Sequence, residues 1–212
     1  MKKAFTLNEL LLAMVVIGII VMLVAPRVIS NMDKKSKVVH LESSFTALNN
    51  AVKSLMIDER AKTLDRTSLL ASDGTVSETA GFFLNKYFNV VKDCGTEPGE
   101  CFATSYSNLN KATIERFPFD DESFYCVAIV GGTSICVQPV SVDQPSSIYL
   151  DVNGPAKPNI AGRDLFLIYL YLDGFVGDRV SDTGEDSSDC KTNSYGSGCF
   201  NRVINSGWVM DY

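Results

Sequence analysis

The sequence predicts an α+β protein in which a long N-terminal helix packs on an antiparallel β-sheet. Three observations lead to this prediction. Residues 5–25 are almost entirely apolar, residues 38–55 carry apolar side chains at helical spacing, and residues 124–173 contain short segments rich in β-branched and aromatic residues. A helix followed by a run of strands is expected when one helix covers one face of a sheet.

The first predicted element is a helix of membrane length. Residues 5–25 would form ~31 Å of helix, which matches the ~30 Å hydrocarbon core of a bilayer. A secretory signal peptide fits less well, because its shorter apolar core precedes a small-x-small cleavage site, whereas Pro26 and Arg27 follow here. We therefore expect residues 5–26 to span a membrane. Glu9 is not explained by a simple anchor, since a charge at membrane depth usually marks function and has a partner.

The helix is predicted to continue as an amphipathic segment, residues 27–62. Six apolar residues recur there every three or four positions, as on one face of a helix: Val38, Leu41, Phe45, Leu48, Val52 and Leu55. Pro26 cannot donate a helical hydrogen bond and Gly18 lowers helix preference, so the section between them is the weak part. We expect a kink or break there in an assembled state and at most a mild bend in the isolated chain.

Residues 63–212 are predicted to form one globular head. We expect loops over 63–122 with one short helix near 79–90. "FYCVAIV" and "TSICVQP" flank two glycines and predict a hairpin, and residues 146–152 and 164–173 predict two more strands with a turn-rich connector between them. The C-terminal "RVINSGWVMDY" is expected to form two short strands around a turn at 205–207, with Trp208 packing inward. A sheet of at least four strands would then cover the apolar stripe of the helix.

Six cysteines indicate disulfide bonds and therefore an oxidising compartment. They allow 15 pairings, but they fall into three local couples, so the economical pairing is Cys94–Cys101, Cys126–Cys136 and Cys190–Cys199. The second couple is the least secure, because a bridge across a hairpin demands particular geometry. A zinc site is disfavoured, since the close CxxC pairs that such sites use are absent from the sequence.

Composition and motifs disfavour nucleic-acid binding and catalysis. The formal charge is −6, and the sequence shows no basic stripe beyond the lysines of residues 34–37. It contains no HExxH, P-loop or GxSxG motif, and the single histidine, His40, is interpreted as a structural or surface residue. Asp151, Asp164 and Asp173 could pair as carboxylates, but their spacing specifies no chemistry. We therefore expect a protein that is not an enzyme.

The stretch "KAFTLNELLLAMVVIGIIVMLVAP" closely resembles the start of type IV prepilins and type II secretion pseudopilins. Those proteins have a short basic leader, a small residue at the cleavage site, then Phe-Thr-Leu-x-Glu and an apolar helix. The resemblance implies a leader of residues 1–4, cleavage by prepilin peptidase between Ala4 and Phe5, and N-methylation of Phe5. Glu9 then becomes the fifth residue of the mature chain, where the family has its glutamate.

The resemblance extends to other positions, and two residues differ from the family's pattern. Gly18 and Pro26 fall where many type IV pilins have a glycine and a proline. Residues 151–166 and the C-terminal disulfide-bounded loop also look like parts of pilin heads. The residue before the cut is usually glycine and here is Ala4, and the residue before the glutamate is usually apolar and here is Asn8.

The function implied is that of a filament subunit whose helices bundle together. The amine freed at Phe5 would be buried there, and Glu9 of a neighbouring copy would pair with it and set the register. The implied partners are further copies or related pilins, the peptidase, and the inner membrane before the subunit enters an extracellular or periplasmic filament. A pilus subunit is favoured over a secretion pseudopilin, and a membrane-anchored enzyme or binding domain is the rival class.

No cofactor is expected. The alternative is a calcium site in an acidic loop, of the kind that pseudopilins carry. The carboxylates of this loop are Asp173, Asp178, Asp182, Asp186 and Asp189. The loop does not follow the EF-hand pattern, so we expect a solvated polar loop.

Overall fold

The computed structural model describes residues 6–114, 122–177, 190 and 196–212, and it confirms the α+β class. The chain divides into two packing units, residues 1–36 and residues 37–212. The helices are α1 (Leu7–Asp58), α2 (Phe82–Tyr87) and α3 (Cys199–Asn205), with 3₁₀ turns at Leu64–Arg66 and Ala71–Asp73 and a π-helical turn at Ser77–Gly81. The strands are β1 (Val90–Gly95), β2 (Tyr125–Ile129), β3 (Ser134–Val137), β4 (Ser146–Asp151) and β5 (Leu165–Leu170).

The five strands form one antiparallel sheet whose spatial order follows the chain, β1 to β5. The predicted hairpin is β2–β3, and the other two predicted strands are β4 and β5. Strand β1 was not predicted, because it falls in the region expected to be loops. It is an edge strand in which three of the six residues are exposed and the other three are partly buried. Its pairing with β2 has two register irregularities, so its sequence shows no regular alternation.

The predicted stripe on α1 packs into the main core, as expected. Leu41, Leu48, Val52 and Leu55 are completely buried, and Phe45 is partly buried against the same cluster. The sheet contributes one face to this core through Val127, Ile135, Val137, Ile148, Leu150, Phe166, Ile168 and Leu170. Each fully buried aliphatic side chain contributes about 1.5–3 kcal/mol, so this layer supplies much of the stability of the head.

The opposite face of the sheet is also buried. Its apolar residues form a second cluster with Phe102, Tyr106 and Phe124, which lie outside the strands. Because both faces are covered, β3 and β4 are buried along almost their whole length instead of on alternate residues. The segment before β2, expected to be only loop, is therefore a layer of the fold.

Helix α1 ends at Asp58, before the expected end near residue 62. Arg60 has a φ of 53°, the N–H of Ala61 donates to the carbonyl of Met56 at 2.9 Å, and the N–H of Arg60 donates to Ile57 at 3.1 Å. This pair of bonds is a Schellman motif, which stops a helix by placing one residue in the left-handed conformation.

The C-terminal hairpin prediction was wrong, because the segment forms α3. Phe200 and Val203, one turn apart, are both completely buried. Gly207 has a φ of 70°, and the N–H of Trp208 donates to the carbonyl of Val203 at 2.9 Å, so the predicted turn is a helix C-cap. Trp208 does pack inward, with its ring centroid 5.9 Å from that of Phe45.

Candidate functional site

The apolar part of α1 is exposed on all sides. No part of its most apolar 18-residue stretch is buried. The large apolar side chains from Leu7 to Val24 are between 47% and 78% exposed. Among the described residues, α1 alone is long and apolar enough to cross a membrane, although a signal sequence would meet the same criteria. A surface of this size marks contact with a membrane or another protein, so it is the candidate site.

Glu9 lies at the start of this apolar surface and closes the first turn of its own helix. The N–H and the hydroxyl of Thr6 donate to Oε2 of Glu9 at 2.9 and 2.8 Å, and the Glu9 N–H lies 3.3 Å from the Thr6 hydroxyl. This is a capping box, in which two otherwise unsatisfied groups of the helix start are bonded reciprocally. The carboxylate therefore has a role within a single chain.

Sequence reasoning missed this role, although the signal was present in "TLNE". A threonine followed three residues later by a glutamate is the capping-box signature. The same motif recurs before α2, where Thr75 donates to Glu78 from its N–H and its hydroxyl, both at 2.9 Å. The head thus contains a second box with the same hydrogen-bond geometry.

Gly18 and Pro26, the other two residues predicted to act in assembly, form no site with other described residues of this chain. Helix α1 continues through Pro26, and the kink or break expected there in an assembled state stays a prediction. A Cβ added at Gly18 would meet no heavy atom within 4 Å, so nothing described in this chain requires a glycine there. Ala4 and Phe5, the predicted processing residues, lie outside the described residues.

The three predicted disulfide pairings are those of the structure: Cys94–Cys101, Cys126–Cys136 and Cys190–Cys199. The first ties the end of β1 to the layer that covers the second face. The second joins directly opposed residues of β2 and β3, so the least secure pairing fits the register. The third anchors the start of α3, and no free cysteine is present.

Asp151, one of the candidate carboxylates, is buried in the second cluster and hydrogen-bonded. Its Oδ2 accepts a short bond from the hydroxyl of Tyr106, and its Oδ1 accepts the N–H of Asn153 at 3.1 Å. Burial raises the pKa of Asp151 to about 7, against the lowering effect of these two bonds, and burial also raises the pKa of Tyr106. Through its bond with Tyr106, Asp151 helps to hold the covering layer on the sheet.

The other two candidate carboxylates differ in burial. Asp164 is completely buried, its Oδ1 accepts the N–H of Ile160 at 3.0 Å, and Nζ of Lys37 lies 4.0 Å from the same oxygen. Asp173 is exposed and accepts the N–H of Phe175 at 3.1 Å. In the sequence Lys37 belongs to the short basic run of residues 34–37, but in the structure it is only 6% exposed.

The described residues contain no group of three or more histidine, cysteine, aspartate or glutamate side chains that could hold a metal ion. Asp173 is the one carboxylate of the acidic loop that they include; Asp178, Asp182, Asp186 and Asp189 lie outside them. The calcium alternative therefore stays a prediction. His40 is exposed on α1.

No protein-family model matches the chain, and comparison with curated proteins and with solved structures gives no match. What the site can do is therefore inferred from its own residues alone. It is a helix with an exposed apolar surface and one carboxylate near its start, which suits association with an apolar partner more than chemistry on a substrate.

Proposed function

We propose that this chain is a structural subunit of a type IV pilus-type filament. Prepilin peptidase would cut it between Ala4 and Phe5 at the inner membrane, and the freed helix would assemble with further copies or related subunits. The head would occupy an extracellular or periplasmic position. The observation that carries the proposal is the exposed apolar helix from Leu7 to Val24, with a carboxylate near its start.

The apolar surface needs a partner at every stage of such a life cycle. Burial stabilises by about 25 cal/mol for each Å² of apolar surface removed from water, so this helix does not stay exposed to water. A bilayer supplies apolar surroundings before assembly, and a bundle of identical helices supplies them afterwards. One segment then serves as both membrane anchor and filament core.

Glu9 supports assembly more than simple anchoring, despite its capping role. A carboxylate is costly in an apolar interior unless it is paired and hydrogen-bonded. Thr6 supplies two of the hydrogen bonds from within the chain. The positive charge would come from the amine that cleavage creates at Phe5 of a neighbouring copy, and such pairs are best known for fixing register.

The disulfides support a destination outside the reducing cytoplasm. All six cysteines are paired, and the bridges join the covering layer, the sheet and α3. Such bonds persist in the periplasm or outside the cell. A pseudopilin of a type II secretion system fits the same observations and is the second candidate, because its filament also uses a processed apolar helix.

Mass spectrometry of the natural N-terminus tests the proposal. Cleavage after Ala4 leaves 208 residues beginning with N-methyl-Phe5, and loss of Lys2 and Lys3 takes the formal charge from −6 to −8. Fibres sheared from cells should contain this mature form, whereas fibres confined to the periplasm would favour the pseudopilin. Ala4→Leu, which enlarges the residue at the cut, should leave the precursor in the membrane. A wild-type chain that keeps Met1 and forms no fibres would refute the proposal in favour of a simple anchor.

A further inference from the structure

Lys37 and Asp164 form a buried pair that the proposed function does not use. Both lie within the unit of residues 37–212. Nζ of Lys37 is 4.0 Å from Oδ1 of Asp164, and the side chains are 7% and 0% exposed. Nζ and the second carboxylate oxygen, Oδ2, are both buried atoms. The pair therefore lies out of contact with bulk water.

Burial distinguishes this pair from the other lysine–aspartate pair among the described ion pairs. Lys86 and Asp58 approach more closely, at 3.1 Å, but their side chains are 38% and 48% exposed. An exposed pair is solvated and screened, and its charges cost little. In a buried pair the loss of hydration can exceed the attraction between the charges, so a reaction that removes both charges relieves that cost.

We propose that Lys37 and Asp164 form an intramolecular isopeptide bond. The ammonium passes one proton to the carboxylate, and the neutral amine of Lys37 attacks Cγ of Asp164. The C–Oδ2 bond breaks, and Oδ2 leaves as water with that proton and a second one from the amine. An ion pair becomes an amide and one water, so the balance needs no oxidant, reductant or other reactant.

Three features of the site favour this step. The fold holds amine and carboxyl side by side, and such proximity can equal an effective concentration of about 10⁵ M or more. The N–H of Ile160 donates to Oδ1 at 3.0 Å and would stabilise the charge that grows on this oxygen during the attack. The surrounding burial keeps water from driving the reaction backwards.

The bond would join α1 covalently to the turn before β5. Lys37 directly precedes the buried stripe of α1, and Asp164 directly precedes β5. Phe166 and Ile168 of β5 belong to the same hydrophobic core as the stripe. The helix and the sheet of the head could then not separate without breaking a covalent bond.

Peptide mapping of the full-length chain, purified from membranes in detergent, reduced, alkylated and digested, tests the proposal. The peptide containing Lys37 should be found joined to the peptide containing Asp164, with a combined mass lower by one water. The peptides containing Lys86 and Asp58 should be linear, because that pair is exposed. Recovery of Lys37 and Asp164 only in linear peptides, from a chain shown to be folded by its protected disulfides, would overturn the proposal.

Lys37→Arg provides the second measurement, because it keeps the positive charge at that position and removes the primary amine. After reduction, the wild-type intact mass should be one water lower than the mass calculated for the N-terminus that the chain is found to have, whereas Lys37→Arg should show no such loss. A loss of water that persists in Lys37→Arg would place the modification elsewhere and refute the assignment. Neither measurement depends on processing or filament formation, so the proposed function can fail while this inference holds.

Discussion

Two substitutions at Glu9 separate capping of its own helix from charge pairing between subunits. Glutamine is also found at this position of capping boxes, because its carbonyl can accept the two Thr6 hydrogen bonds that Oε2 accepts at 2.9 and 2.8 Å. Glu9→Gln therefore keeps the cap and removes the charge. Glu9→Val removes both. If Glu9 serves the helix alone, the glutamine variant should assemble normally; if it pairs with the Phe5 amine, both variants should fail.

The expected magnitudes are far enough apart to measure. Loss of a helix cap typically changes an equilibrium by roughly fivefold. Loss of one member of a buried ion pair shifts the equilibrium by roughly 150-fold or more, because the other charge stays buried without a partner. We expect Glu9→Gln to reduce assembly by the larger factor. Membrane insertion should be intact or improved in both variants, since a charge has been removed from the apolar segment.

The assay is the amount of subunit in sheared fibres relative to the amount in the membrane. Cleavage and head folding should persist in both variants, since the proposed cut lies before Thr6 and the head belongs to a separate packing unit, residues 37–212. In mixed expression the variants should reduce wild-type fibres in a dose-dependent way, because each still contributes an amine. Normal fibres built from Glu9→Gln subunits alone would show that the pairing argument is incorrect.

The capping box at Thr75 and Glu78 supplies the matched control. It has the same hydrogen bonds, at 2.9 Å each, but lies in the head. Glu78→Gln should leave the head unchanged, and Glu78→Val should weaken it slightly. Neither should change the number of fibres. Loss of fibres with Glu78→Gln would mean that the assay reports folding defects instead of assembly.

Three further predictions concern the packing unit of residues 37–212. The folded pKa of Asp151, about 7, lies above its ordinary value of 3.8, so the stability of the wild-type protein should fall by a few kcal/mol as the pH rises from about 4 through 7. Asp151→Asn should remove this pH dependence, which urea unfolding at several pH values would measure. Leu48→Ala, at a completely buried position, should cost about 2–5 kcal/mol, whereas Ile57→Ala, at a 74% exposed position, should be nearly neutral in the same assay. Gly162→Ala should lower the melting temperature more than Gly207→Ala does. Both glycines have a positive φ, but a Cβ at Gly162 would lie 2.6 Å from a disulfide sulfur, whereas a Cβ at Gly207 would meet no heavy atom within 4 Å.

Several features of the fold could be predicted because they depend on residues close together in sequence. The stripe from Val38 to Leu55 has helical spacing, and the strands from 125 to 170 are rich in β-branched and aromatic residues between turn signals. The cysteine couples are local, so chain proximity alone favours the pairing that the structure has. The capping box of Thr6 and Glu9 also depends only on local spacing, because the threonine and the glutamate are three residues apart.

Taken alone, the sequence determined the α+β class, the apolar helix, the buried stripe and the three local bridges, because each depends on side-chain type and short-range spacing. Tertiary structure alone decided which polar residues are buried. Lys37 and Asp164 are far apart in the chain, and only the packing of α1 on the sheet brings Nζ within 4.0 Å of the carboxylate. Tyr106 likewise meets Asp151 only because the segment before β2 folds over the sheet. The burial of these polar side chains depends on long-range contacts that no local pattern encodes.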